Sequence, residues 1–449
     1  MRLPRTLASL LTFTMIIGLT GCSVTSNNDT GQPGTGRGKA DSLGTFTGDP
    51  RTSLKATPAD TAGLVHQKPT DASLPATVSL AALQKSNTFY NMEMFDGNVG
   101  YRWGYLHGNF ALERTENAGV NWYSIALPRT LPLAQLNKGT GAVENPTVQV
   151  TGENSIYVFA VTGSTLLNLH TNDAGHHWTQ TSLPLPTSGL QLESVNLLGD
   201  QDGFILLRGQ GKASAIHQLY RLQNNATTAV ALHVSGNGKD AGLPASAQAV
   251  VHFTNPQDGW LVAVTTDGNV HLYDSHNGGN TWTASTFHTP PGLTGFKAVR
   301  VYEPSRLEQE GNFLVRYARP TNKGTQYHLV MFRSVNGGNK FTTRVEDPLF
   351  DAVSDYMGNP VSFLNQDYAF AINDQRLVAS WDGGMTWRTI HSSSLETTLN
   401  AYPRVLATDF ESDTLGYLLL QTANYQRTAF VKVTLNGTSS WANAQVVSH

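Results

Sequence analysis

With a single cysteine, Cys22, in 449 residues, the chain can form no internal disulfide. Charge is sparse as well: 30 basic and 33 acidic residues make up 14% of the sequence, and no basic surplus marks it for nucleic acid. Long apolar runs are missing too. The run that stands out, residues 7–19, is shorter than the roughly 20 residues that a membrane-spanning helix needs. No sustained helical period follows it, so the core must be built from short strands.

What the chain has is repetition. Residues 275–282 read Ser-His-Asn-Gly-Gly-Asn-Thr-Trp. The Ser275 hydroxyl and the Asn277 side chain can bond nearby backbone amides, Gly279 can take a positive φ without a Cβ clash, and Trp282 can cover the turn. The octet predicts a tight hairpin that carries its own hydrogen-bond partners. It recurs at 115–122 (TENAGVNW), 171–178 (TNDAGHHW), 334–341 (SVNGGNKF) and 380–387 (SWDGGMTW). Its structural residues are Asn117 and Trp122, Asp173 and Trp178, Asn277 and Trp282, Asn336 and Phe341, and Asp382 and Trp387.

The interval from Trp178 to Trp282 is about twice the others, which predicts a hidden unit with a decayed octet. Strand-like runs at 192–198, 204–208, 217–222 and 229–234, with a polar turn at 224–228, supply it. A further unit follows Trp387, with runs at 404–410, 417–422, 429–434 and 441–447. A Gly-aromatic pair opens the second strand of several units: Gly100-Tyr101, Gly203-Phe204, Gly259-Trp260 and Gly416-Tyr417. Seven units of four strands predict an all-β fold over residues 85–449, a seven-bladed β-propeller with four-stranded antiparallel blades. The last unit draws all its strands from the C-terminal chain; whether residues 76–83 (ATVSLAAL) help to close the ring is left open by the sequence.

The octets resemble the Asp-box, or bacterial neuraminidase repeat, of β-propeller proteins. The run of strand, Asp-Gly-Trp-like turn, strand, octet and Trp at 253–282 and 361–387 is similar to propellers of the photosystem II assembly and stability factor type. That resemblance implies a ring that binds other proteins and catalyses nothing. Sialidases share the octet more distantly, and their resemblance would imply an Arg-Ile-Pro motif, an arginine triad and a Tyr nucleophile assisted by Glu. Arg-Ile-Pro occurs nowhere here, and seven units depart from the six blades usual in sialidases.

Residues 1–21 combine a basic tip (Arg2, Arg5) with the short apolar run, the charge order of a secretory signal. Leu19-Thr20-Gly21-Cys22 resembles the lipobox of bacterial lipoproteins, which implies a signal peptide over 1–21 and lipidation of Cys22. Residues 22–80 are mostly Ser, Thr, Asn, Asp, Gly, Pro and Lys, a composition that buries too little apolar surface to fold and predicts a disordered tether. The expected location is the cell membrane, lipid-anchored and facing away from the cytoplasm.

In a four-stranded meander the A–B and C–D turns share one face, and the B–C and D-to-A connections share the other. The octets mark the first face. The irregular segments 128–145, 235–247, 288–295, 319–324, 346–359 and 391–403 fall on the second, which makes it the candidate binding surface. Arg102, Arg208, Arg316, Tyr317, Arg319 and Lys323 are its candidate ligand residues. The octet Asp and Asn side chains sit one per turn and cannot converge six to eight oxygens on calcium, and His176 and His177, being adjacent, point apart. No metal and no cofactor are expected. The sequence thus reads as a non-catalytic module that binds another envelope protein or a glycan. The alternatives are a sialidase-like glycoside hydrolase and a lectin-like binder of envelope glycans.

Overall fold

The computed structural model describes residues 88–107, 109–128, 146–186, 188–199, 202–209, 217–223, 226–230, 234–235, 243, 248–307, 310–322, 324–346, 361–365, 367–373, 375–424, 427–434 and 443–447. Cys22, the segments expected to be signal (1–21) and tether (22–80), residues 76–83 and Lys323 lie outside them, as do most of 128–145, 235–247 and 346–359. All described strands fall in one compact unit, residues 35–449.

The strands form seven antiparallel sheets in chain order, the seven blades of a β-propeller. Blade 1 is β1 (Thr88–Met94), β2 (Gly100–Leu106), β3 (Asn109–Thr115) and β4 (Tyr123–Ser124). Blade 2 is β5 (Thr147–Val150), β6 (Ile156–Thr162), β7 (Thr165–Thr171) and β8 (Thr179–Pro184), and blade 3 is β9 (Leu190–Leu197), β10 (Gly203–Gly209), β11 (His217–Gln223) and β12 (Ala226–Val230). Next comes β13 (Val234–Ser235), then blade 4 with β14 (Gln248–Phe253), β15 (Gly259–Val264), β16 (Val270–Ser275) and β17 (Trp282–Phe287). Blade 5 holds β18 (Lys297–Val301), β19 (Ser305–Leu307), β20 (Glu310–Thr321), β21 (Gly324–Ser334) and β22 (Thr342–Glu346). Blade 6 is β23 (Val361–Phe363), β24 (Ala369–Asn373), β25 (Arg376–Ser380) and β26 (Arg388–Ile390); after helix α1 (Ser393–Ala401), blade 7 is β27 (Arg404–Ser412), β28 (Leu415–Gln421), β29 (Thr428–Thr434) and β30 (Asn443–Val447).

Second strands such as β10 and β15 are buried on both faces, which is why they read as continuous apolar runs, whereas outer strands such as β8 and β17 are exposed and hydroxyl-rich. The core is divided among the blade junctions. One cluster joins blades 7, 1 and 2 through Phe430, Leu112 and Val148; others join 2 to 3, 3 to 4, 4 to 5, 5 to 6 and 6 to 7. The ring therefore closes by packing, with β1 against β27 and the Met94 N–H donating to Asp409 Oδ2 at 2.6 Å. No strand is exchanged between blades 1 and 7 among the described residues: β27 to β30 are all C-terminal chain.

Side chains of one inner strand also satisfy edge amides of the next. Asn196 Oδ1 accepts from the Phe253 N–H at 2.7 Å, Gln248 Oε1 from Val301 at 2.7 Å and Ser362 Oγ from Phe410 at 3.2 Å. An inner strand has no fifth strand to pair with, so these acceptors answer donors that would otherwise stay unmet.

Three local expectations are corrected, and blade 5 departs from a simple four-stranded sheet. The outer strand of blade 3 is 226–230 rather than 229–234, so 226–228 of the expected turn are strand, and Val234 instead joins blade 4, where β13 runs parallel to β17. The inner strand of blade 5 is split into β18 and β19 around Pro304, whose missing N–H cannot continue the ladder. Segment 319–324 is not irregular; β20 continues to Thr321 and β21 resumes at Gly324. Segment 391–403 contains α1, whose Ser392 side chain caps the Leu395 N–H and whose Leu395, Thr398 and Leu399 are buried at helical spacing.

Candidate functional site

The octet turns have the hydrogen bonds that their residue types predict. In all five, the N–H of the second residue of the small pair donates back to the leading hydroxyl: Gly119 to Thr115 and Gly175 to Thr171 at 2.9 Å, Gly279 to Ser275 at 2.9 Å, Gly338 to Ser334 at 3.0 Å and Gly384 to Ser380 at 2.7 Å. Asn117, Asp173, Asn277, Asn336 and Asp382 each accept, through Oδ1, the amide four residues on, at 2.7–2.9 Å. The Trp282 indole N–H closes its own turn on Gly279 O at 2.8 Å.

Their wider role was not legible in the octet itself. The last glycine of each lies against the preceding blade, where a Cβ would meet Phe430 (at Gly119), Ile125 (Gly175), Leu219 (Gly279), Trp260 (Gly338) or Met331 (Gly384). Trp178 donates to Ala126 O of blade 1 at 3.0 Å, and Phe341 lies 5.7 Å from Trp260 of blade 4. Strand-B aromatics reach the other way: Tyr417 OH donates to Gly97 O at 2.7 Å, Tyr101 OH to Glu153 O, and Phe204 stacks on Phe253 at 3.5 Å. Arg114 reaches Asn154 of the next blade at 2.9 Å and Arg333 reaches Asp367 at 3.1 Å. The octet face is a ring of blade-to-blade contacts.

Arg102 is enclosed within blade 1 and does not lie on an open surface. Its side chain is buried, its Nη2 and Nε donate to Glu113 Oε2 at 2.6 and 2.9 Å, and Phe89 and Trp122 cover it at 4.3 and 4.4 Å. Glu113, directly opposite on β3, is the partner that the sequence concealed.

Arg208 and Arg316 occupy the same row of their blades, five residues beyond Gly203 and Gly311 at the loop end. Arg208 meets Glu193 through Nε at 3.4 Å, and His217 Nε2 lies 3.4 Å from the other carboxylate oxygen. Arg316 lies over the Tyr327 ring at 4.9 Å and stands beside Arg300 across the ladder. Tyr317 points the opposite way into the core between blades 4 and 5, with no exposed surface and no hydrogen-bond partner for its hydroxyl among the described residues. Burial pushes its pKa well up, the wrong direction for a nucleophile. Arg319 lies over Phe296 at 4.4 Å, donates to Thr294 O at 3.3 Å and holds Gln326 Oε1 at 2.7 Å, so the tip of the β20–β21 hairpin is fastened to the 288–296 connection. The structure thus keeps Arg316 and Arg319 in one blade, places Arg208 two blades away, and separates Tyr317 from them.

Among the described residues no three His, Cys, Asp or Glu side chains gather as a metal-holding group, and no helix is long and apolar enough to cross a membrane. His177 is committed to Asp173, at 2.6 Å between Nδ1 and Oδ2.

No protein-family model and no curated protein matches the chain. Solved structures similar to it include YCF48 bound to a D1 peptide, with 17% identity over 75% of this chain and 91% of that one, TM-score 0.47. A GH74 xyloglucanase from Xanthomonas campestris shares 14% over 83% of this chain and 56% of its own length, TM-score 0.48. The Aleuria aurantia lectin in complex with Fucα1-6GlcNAc shares 11% over 81% and 97%, TM-score 0.39.

Proposed function

We propose that this protein is a lipid-anchored, extracytoplasmic β-propeller that acts as a non-catalytic binding module, with its loop face presented to another envelope protein. The observation that carries the reading is the division of labour between the faces. Octets, strand-B aromatics and pre-octet arginines are consumed between blades, whereas the described part of the loop face presents the 288–296 connection and the hairpin fastened to it, with Arg316 and Arg319 at its rim. Rigid scaffold with variable loops is the usual arrangement of a binding surface. Cys22 as the lipid attachment and 22–80 as the tether complete the proposal, and both rest on sequence.

Crosslinking on intact cells, followed by identification of captured proteins, tests the reading. Capture that falls when Arg316 and Arg319 are reversed to Glu supports it; capture unaffected by the reversal overturns the loop face as the binding surface. Replacing Cys22→Ser should release the protein from membranes or halt processing, and a Cys22→Ser protein that stays bound and is processed as before removes the anchor. Glycosidase activity is tested with aryl sialosides and other aryl glycosides, and no turnover is expected. Hydrolysis lost in a folded Arg316→Ala variant would replace this proposal with an enzymatic one.

A further inference from the structure

We infer that the loop-face junction of blades 3 and 4 holds a binding site for one carboxylate, in which Arg208 receives an acidic side chain of a partner's peptide segment and Glu193 is the positioning residue that holds the guanidinium. The inference deepens the loop-face reading and rests on it.

The site begins with an irregularity. Leu206 pairs with Ser194 and Leu207 with Leu192, so Glu193 is an extra residue in β9 without a partner on β10. Such a bulge redirects one side chain out of the alternation of the strand. Here it turns the Glu193 carboxylate toward Arg208 and His217, which face each other across β10 and β11. Glu193 Oε1 also accepts the Ala249 N–H of blade 4 at 3.0 Å, which fixes the carboxylate between two blades.

Exposure then separates the members. The side chains of Glu193 and His217 are 6% and 1% exposed, but that of Arg208 is 33% exposed. The carboxylate is a built-in part of the wall and the guanidinium is its outlet. Arg102 is the internal control: Glu113 takes both its Nε and its Nη2, two aromatic rings cover its faces, and its side chain is only 8% exposed. Arg208 instead touches its carboxylate by the Nε edge alone, at an ion-pair distance longer than a hydrogen bond, and neither Arg208 Nε nor Glu193 Oε2 has a hydrogen-bond partner among the described residues. A guanidinium held along Nε offers its two Nη groups as a fork that matches one carboxylate. With Glu193 already neutralising one positive charge and a single fork at the outlet, the site suits one acidic side chain better than a polyanion, which would need cations along its length.

The test uses fluorescence anisotropy of a labelled peptide of alternating Gly and Glu, amidated at its C-terminus, against the full protein, with an alternating Gly and Ser peptide as the uncharged reference. Selective binding of the Glu peptide is expected, at least tenfold weaker in Arg208→Gln and weaker also in Arg208→Lys, which keeps the charge and loses the fork. Glu193→Gln separates positioning from bulk charge: removal of an acid should tighten an acidic peptide if charge alone matters, and weaken it if Glu193 positions Arg208. Urea midpoints report whether each variant is folded, and Arg208→Lys carries the test if Glu193→Gln is not. No binding by the wild type, unchanged binding in Arg208→Gln, or tighter binding in Glu193→Gln overturns the proposal. Binding lost in Arg319→Gln but kept in Arg208→Gln would sink this site and leave the loop face standing; loss only in Lys340→Gln, on the octet face, would sink both.

Discussion

The two ends of the blades solve opposite problems with the same residue types. At the octet end an arginine such as Arg102 is enclosed with Glu113 beneath two rings; at the loop end Arg208 and Arg319 keep part of their surface in solvent. Aromatic residues divide likewise, with Trp282 sealed on the octet face and Tyr327 half-buried beside Arg316. The comparison teaches that repetition in this chain marks where blades hold one another, and that irregularity marks where they are free to meet something else.

The sharpest break of this contrast would come from truncating an octet aromatic. Trp282→Ala should cost about 3–5 kcal/mol in urea unfolding, the range for emptying a large buried aromatic site. A loss under about 1 kcal/mol would mean the octet aromatics contribute little to the ring. Removing one member of the buried pair should come next: Glu113→Ala, which leaves Arg102 enclosed without its partner, should cost about 3 kcal/mol. The same measurement on Arg319→Gln should stay within about 0.5 kcal/mol, and a cost similar to that of Glu113→Ala would erase the distinction between the faces.

Alkaline pH gives an intermediate effect. Burial raises the Tyr101 pKa to about 12, and burial likewise raises Tyr417, its counterpart on the octet face. A raised folded pKa means that the unfolded chain ionises first, near pH 10, so the stabilisation is complete below that pH and falls as pH climbs toward the folded value. Urea midpoints should be flat from pH 8 to 9.5 and drop from 10 to 12, with a shallower drop in Tyr101→Phe. An equal drop in that variant would separate Tyr101 from the effect.

The one expected gain in stability concerns the turn itself. Ala118 and Ala174 take φ of 57° and 58° where the other three octets have glycine. Ala118→Gly relieves a left-handed alanine and should stabilise by about 0.5–1 kcal/mol, read as a higher unfolding midpoint. Destabilisation would show that the flexibility gained by the unfolded chain outweighs the strain removed.

These effects also explain what could be read in advance. The octet hydrogen bonds span two to four residues, so the mechanism is written locally, and the blade count follows from their spacing even where blade 3 has lost its octet. Contacts between blades join residues about 50 positions apart, as Trp178 joins Ala126, and no local pattern announces them. Arg102 was misplaced because its partner lies across a hairpin, and the Glu193 pairing was hidden because a bulge breaks the alternation that would have aimed the side chain elsewhere. Helix α1 could have been found from Ser392 followed by Leu395 and Leu399, but the segment is short and polar enough to pass for a loop.

The seam between the first and last blades has a consequence in time. Met94 and Asp409, which meet there, are 315 residues apart, whereas neighbouring blades meet within about 60. At the roughly 5–20 residues per second of chain synthesis, that separation is on the order of 15–60 s. Through that interval β1 can have blade 2 on one side and nothing on the other, so the arc waits with Met92 and Met94 uncovered. The earliest strand of the ring is the last to be finished, and its transient apolar edge is the part of the nascent protein most in need of protection from its neighbours.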